Sequence, residues 1–143
     1  MIIEYDGGRY HGFQRQDNAS TVQGEIEKAI WRLTKESITI MGASRTDTGV
    51  HAKGQVIAFD TTATIPIDRW TRALNTFLPQ DIRVIKTEAA GPDFHPQFQA
   101  VKKRYAYYVY RSPGGATFYQ KYALCTSEAL DIGEMQRACT YIE

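Results

Sequence analysis

Ile38-Thr39-Ile40-Met41-Gly42-Ala43-Ser44-Arg45-Thr46-Asp47-Thr48-Gly49-Val50-His51-Ala52-Lys53-Gly54-Gln55-Val56-Ile57-Ala58-Phe59 is the stretch that decides how this chain folds. Both ends are strand-like, residues 37–41 through their β-branched side chains and residues 55–59 through an apolar run. Between them, Gly42, Gly49 and Gly54 bracket Arg45, Asp47 and His51. The pattern predicts two strands joined by an active-site loop that rigid elements hold at each end. Glycine lets backbone approach a ligand closely, and an extended segment from Arg45 to Asp47 points a cation and an anion to the same side. The plain alternative is an Asp-x-Gly turn with a surface ion pair.

Working outward, residues 1–5 read as a strand that Gly7-Gly8 ends. Ser20 and Gln23 form a capping-box pattern, and Val22, Ile26, Ile30 and Leu33 recur at helical spacing through Lys35. Pro66 opens a second helix, with Trp70, Ala73, Leu74 and Phe77 behind it and Pro79 beyond its end. Residues 82–87 return as a strand. Strand, helix, two strands, helix, strand is the split βαβ order of an α+β, ferredoxin-like half-domain. Helices are then expected on one face of an antiparallel sheet, with the other face open to ligand. Residues 101–111 alternate as one long strand, Tyr105, Tyr107, Val109 and Arg111 on one face and Ala106, Tyr108 and Tyr110 on the other. Asp131 and Glu134 suggest a further capped helix, with Met135, Cys139 and Ile142 as its apolar stripe. That stripe has no following strand to complete its layer, so the C-terminal part reads as the opening of an unfinished unit.

Lys and Arg number 17 against 16 Asp and Glu, for a net charge of +1, so composition alone carries no nucleic-acid footprint. Cations are nevertheless clustered, at Arg9, His11 and Arg15 and again at Lys102, Lys103 and Arg104 beside a tyrosine-rich stretch. Either cluster alone reads equally as solvated surface. Cys125 and Cys139 are far apart and lack the spacing of a zinc site, so reduced thiols are expected. With no signal-peptide pattern and no apolar run of membrane-spanning length, the default expectation is the cytoplasm and no membrane.

The run from Gly42 to Ala52 closely resembles the Gly-Arg-Thr-Asp-x-Gly-Val-His-Ala signature of the TruA family of tRNA pseudouridine synthases. Three further stretches match that family in order: Tyr5-Asp6-Gly7 with Gly12-Phe13-Gln14-Arg15-Gln16, then Thr21-Val22-Gln23-Gly24, then Phe94-His95-Pro96-Gln97-Phe98-Gln99-Ala100 followed by Arg104-Tyr105-Ala106-Tyr107. Ser44, Thr48, Phe13, Pro96 and Gln97 stand where the family usually has Gly, Ala, Trp, Ala and Arg. The resemblance implies a catalytic half-domain over residues 1–93, with residues 94–143 as crossover strand and the start of a second half. It implies isomerisation of uridine to pseudouridine in the tRNA anticodon arm by a homodimer, with no cofactor and no metal.

Within that resemblance Asp47 is the essential catalytic carboxylate, Arg45 holds or flips the substrate, and Tyr105 stacks on the uracil. The chemistry agrees, because breaking and remaking the ribose bond needs an anion near C1′ or C6. A base inside a stem must also be flipped out and given a stacking partner. Arg15, His51, Lys102, Lys103 and Arg104 are expected to meet tRNA phosphates, with His51 equally suited to fixing its own loop. Two other readings compete. Ferredoxin-like sheets with aromatic strands also serve as non-catalytic RNA platforms, though the tyrosines here concentrate on one strand. Metal-dependent hydrolysis through Asp47 and His51 would have too few ligands.

Overall fold

Four strands and two helices build the first of two units, Met1–Lys102, and the second begins at Lys103. The computed structural model describes residues 1–141. In the first unit the elements are β1 (Ile2–Tyr5), α1 (Val22–Thr34), β2 (Met41–Gly42), β3 (Ala52–Ala58), α2 (Ile67–Asn75) and β4 (Ile82–Lys86). The sheet order is β2-β3-β1-β4 with every pair antiparallel, which is the interleaved split βαβ arrangement that the sequence predicts.

Strand β1 is thus a central one. Ile3 and Tyr5 face the core, while Glu4 is exposed and lies in register with Arg83 of β4. Val22, Ile26 and Ile30 recur on one stripe of α1, and Trp70 and Leu74 supply the matching stripe of α2. These pack with Ile3, Ile57, Ile82 and Val84 into one buried cluster. Each such aliphatic or aromatic side chain contributes about 1.5–3 kcal/mol when fully buried.

Three local expectations change. Thr21, not Ser20, caps α1, its hydroxyl accepting from Gly24 N–H. Gln23 cannot fold back into a capping box because its amide is drawn into the interior, donating to Glu27 and to the Ile40 carbonyl. The same network shortens the expected strand at residues 38–41. Ile40 N–H donates to Glu27 Oε1 and its carbonyl accepts from Gln23, so these groups serve α1 instead of a ladder, and β2 keeps only Met41 and Gly42. Strand β3 in turn starts earlier than residue 55, at Ala52.

In the second unit, β5 (Val109–Arg111) pairs in parallel with β6 (Leu124–Thr126), followed by α3 (Ile132–Cys139). The long strand expected over residues 101–111 is therefore only its last three residues. Alternation makes a strand only where a neighbouring edge accepts its hydrogen bonds, and no described strand pairs with residues 101–107. Tyr110 instead stacks on Tyr119, with centroids 4.5 Å apart. Helix α3 is capped as expected by Asp131, which accepts from Glu134 N–H at 3.0 Å. Ile132, Met135 and Cys139 are exposed, and Ile142 of the expected stripe lies outside the described residues. Among the described residues no helix is long and apolar enough to cross a membrane.

A polar tie closes the far side of the first unit. Glu36, just beyond α1, accepts from the hydroxyls of Thr61 and Thr62 and from Thr62 N–H. The Thr61 and Thr62 hydrogen bonds hold its carboxyl below the ordinary carboxylate value, against partial desolvation. A depressed pKa gives stability that is present above the unfolded-state pKa and is lost as pH falls through the folded one. Glu36→Gln should lower the melting temperature slightly at neutral pH, and the difference should shrink on acidification through the carboxylate range. A difference that stayed constant across that range in thermal melts would remove the charge from this account.

Candidate active site around the Asp47 loop

The loop from β2 to β3 is pinned along its length by residues distant in sequence. At its start, Ala43 N–H donates to the Val56 carbonyl at 2.9 Å and the Gln55 amide donates to the Ser44 carbonyl. In its middle, Phe13 N–H donates to the Thr46 carbonyl at 2.9 Å, and the Tyr5 and Thr46 hydroxyls lie 2.8 Å apart. Beyond Asp47, Val50 N–H turns back to the Asp47 carbonyl at 3.2 Å, and Gly49 N–H reaches the Tyr10 carbonyl at 3.3 Å.

Two glycines make this docking possible. Gly7 sits so close to the loop that a Cβ there would lie 2.0 Å from the Val50 carbonyl oxygen. Gly12 has φ +87, and a Cβ would lie 2.9 Å from the Thr46 carbonyl oxygen. The segment from Gly7 to Phe13 is therefore a cradle for the Asp47 loop. Tyr10 fixes the cradle to the sheet by donating to Asp81 Oδ1 at 2.6 Å, and Arg9 lies 3.3 Å from the other Asp81 oxygen. That second oxygen is buried and has no partner of hydrogen-bonding geometry, so the Arg9 contact is one of charge only. Burial first, then the bond to Asp81 and its charge, raise the Tyr10 phenol above its ordinary pKa, and it stays a donor.

Asp47 and Arg45 are exposed on this loop, and among the described residues neither side chain meets a hydrogen-bonding or ionic partner. The Arg45–Asp47 surface ion pair of the plain alternative is not formed. His51 holds the loop end: its Nδ1 lies 3.1 Å from Gly7 N–H and 3.0 Å from Asp6 Oδ1. A bare Nδ1 accepts from Gly7 and an Nδ1–H donates to Asp6, so the atom serves one of the two contacts at a time.

Arg15 is 63% exposed and bonds Glu27 at 3.2 Å, while its N–H donates to Gln23. Glu27, only 7% exposed, thereby receives Arg15, Gln23 and Ile40, joining the cradle, α1 and the approach to β2. Lys102 ends the first unit, and Lys103, Arg104 and the 65% exposed Tyr105 open the second. The sequence reading gave no role of their own to Tyr5, Tyr10, Thr46 or Glu27. The spacing of Gly7, Tyr10 and Gly12 was the available signal, since small residues flanking an aromatic mark backbone that something else approaches. A groove of about 350 Å³ opens elsewhere, among Arg15, Asp17, Glu27, Lys28 and Trp31, and no residue of the Asp47 loop lines it.

The profile described as tRNA pseudouridine synthase matches residues 1–99, which include the cradle, the loop and the whole four-stranded sheet. The chain belongs to that family. It is 53% identical over 143 residues to tRNA pseudouridine synthase A of Syntrophomonas wolfei, covering 100% of this chain and 57% of that protein. It is 48% identical over 141 residues to the protein of the same name from Acetivibrio thermocellus, covering 99% and 58%. With that of Moorella thermoacetica it shares 44% identity over 145 residues, covering 100% and 59%. The chain thus spans less than two thirds of the length of these relatives, and the family match includes both the exposed Asp47 and the cradle that carries it.

Proposed function

We propose that this chain is the Asp47-bearing part of a tRNA pseudouridine synthase that converts uridine to pseudouridine in the anticodon arm. The observation that carries the reading is an exposed carboxylate on a loop clamped from both sides, in a family whose relatives are named for this activity. A fixed, solvent-facing anion suits a reaction that must manage charge or covalent attachment at C1′ or addition at C6. We assign Asp47 as the catalytic residue, Arg45 to holding the flipped nucleotide, and Tyr105 to stacking on the uracil. Arg15, His51, Lys102, Lys103 and Arg104 would take tRNA phosphates, with Arg15 and His51 also serving the fold through Glu27 and Gly7. Residues 1–93 would be the catalytic half and residues 94–143 the crossover and the start of a second half. The enzyme would act as a cytoplasmic homodimer without cofactor or metal.

The test is tritium release from C5-tritiated uridine in tRNA, with this chain assayed beside a protein of its relatives' full length that carries it. Release by the longer protein supports the reading, and tRNA binding without release would favour a non-catalytic RNA module instead. In the same assay Tyr105→Phe keeps the stacking face and should cost less tRNA affinity than Tyr105→Ala, which forfeits about 1–3 kcal/mol. Equal losses in both would implicate the hydroxyl and overturn the stacking role.

A further inference from the structure

We infer that Thr46, held by the Tyr5 phenol, is the positioning residue for the Asp47 carboxylate. This rests on the functional reading above. Asp47 has no side-chain partner among the described residues, so its place is inherited from its chain neighbours. Two long-range contacts converge on the residue just before it. The Thr46 carbonyl accepts from Phe13 N–H, and the Thr46 hydroxyl meets Tyr5, 41 positions away.

Tyr5 is well placed to transmit rigidity. It is 4% exposed, it lies in the central strand in register with Ala52 and Ile82, and its ring packs at 6.2 Å from that of Phe13. Packing alone would be served as well by phenylalanine at this position. The hydroxyl adds the bond to Thr46, and a buried phenol without a partner would be unfavourable. Beyond Asp47, the Gly49 bond to Tyr10 and the turn from Val50 close the loop. With Thr46 fixed to the sheet and Gly49 fixed to the cradle, the Asp47 backbone between them has little freedom to drift, and the point from which its carboxylate projects is set.

The test compares Tyr5→Phe, Thr46→Val, Thr46→Ser and Asp47→Asn in the longer protein, by single-turnover rate at saturating enzyme, tRNA Kd and melting temperature. Tyr5→Phe and Thr46→Val should each slow turnover about tenfold, the scale of a small misplacement of a reacting group. Their tRNA affinity should stay within about twofold, because the interaction lost bears on the transition state and not on binding. The double variant should be no slower than either single one, since both remove the same bond. Thr46→Ser, which keeps the hydroxyl, should recover most of the rate. Wild-type turnover in Tyr5→Phe and Thr46→Val, with Asp47→Asn inactive, would overturn the positioning role and leave the functional reading standing. So would a Thr46→Ser as slow as Thr46→Val, or rate losses matched by proportionate losses of melting temperature. An active Asp47→Asn would overturn the functional reading, and this inference with it.

Discussion

Asp47→Asn in the longer protein is expected to leave tRNA bound and uridine unconverted. The change keeps the shape of the side chain and removes its charge. Because the carboxylate is exposed and makes no side-chain hydrogen bond or ion pair among the described residues, the fold has nothing to lose, and the melting temperature should hold. Binding should change by no more than a few-fold, since phosphate contacts by other residues dominate RNA affinity. The rate should fall by at least about a thousandfold, the upper range for loss of one group that faces charge developing in a transition state. Single-turnover conditions are needed, so that the comparison reads chemistry and not product release. Turnover within a tenth of wild type would remove Asp47 from the reaction.

The second large effect concerns stability, and it separates two adjacent glycines. At Gly7 a methyl group would sit 2.0 Å from the Val50 carbonyl oxygen, inside a buried turn where both partners are backbone. Neither can swing aside, so Gly7→Ala must push the Asp47 loop off its cradle or distort the end of β1. Overpacking of this kind costs roughly 1–3 kcal/mol or more, and in a unit of this size each kcal/mol lowers the melting temperature by about 4–8 °C. At Gly8 the nearest atom to a new Cβ is an Asp6 carboxylate oxygen at 3.0 Å, on a side chain that can rotate. Gly8→Ala should therefore cost no more than about 1 kcal/mol. Calorimetry of this chain decides the matter. If the two variants melt together, the close approach of Val50 to Gly7 does not hold the loop.

The sequence discloses elements whose signal is local and hides those that depend on a distant partner. Ile26 and Ile30 announce α1 by their spacing, and Ile82 with Val84 announces β4, because burial on one face leaves a periodic trace. Glu27 and Gln23 leave the opposite trace. They lie four residues apart on a helix, and Gln23 reads as half of a capping box and Glu27 as one more helix acid, yet both are buried to serve Ile40 and Arg15. Their partners lie in other elements, so no window along α1 contains the reason, and the shortened β2 follows from the same network. Residues 101–107 err the other way, with alternation and no pairing edge among the described residues. At the site, the glycines and Asp47 stand out as residue types, whereas Tyr5 and Thr46 become meaningful only once β1 and the loop are adjacent.

Placing β1 between two strands that follow it in the chain has a consequence during synthesis. On the ribosome β1 emerges before both of its neighbours, β3 and β4, which begin only at residues 52 and 82. Until then Ile3 and Tyr5 have no strand to pair with, and the contacts that seat the Asp47 loop, from Tyr5 to Thr46 and from Gly7 to His51, span 41 and 44 positions. Loop closure over such distances precedes any energetic return, so this is a slow-assembling kind of topology. The Asp47 loop of the nascent chain stays unformed while α1, whose contacts are local, can already be helical. The seating of that loop is thus a late event in the life of each new molecule, reached only after the sheet that supports it has closed.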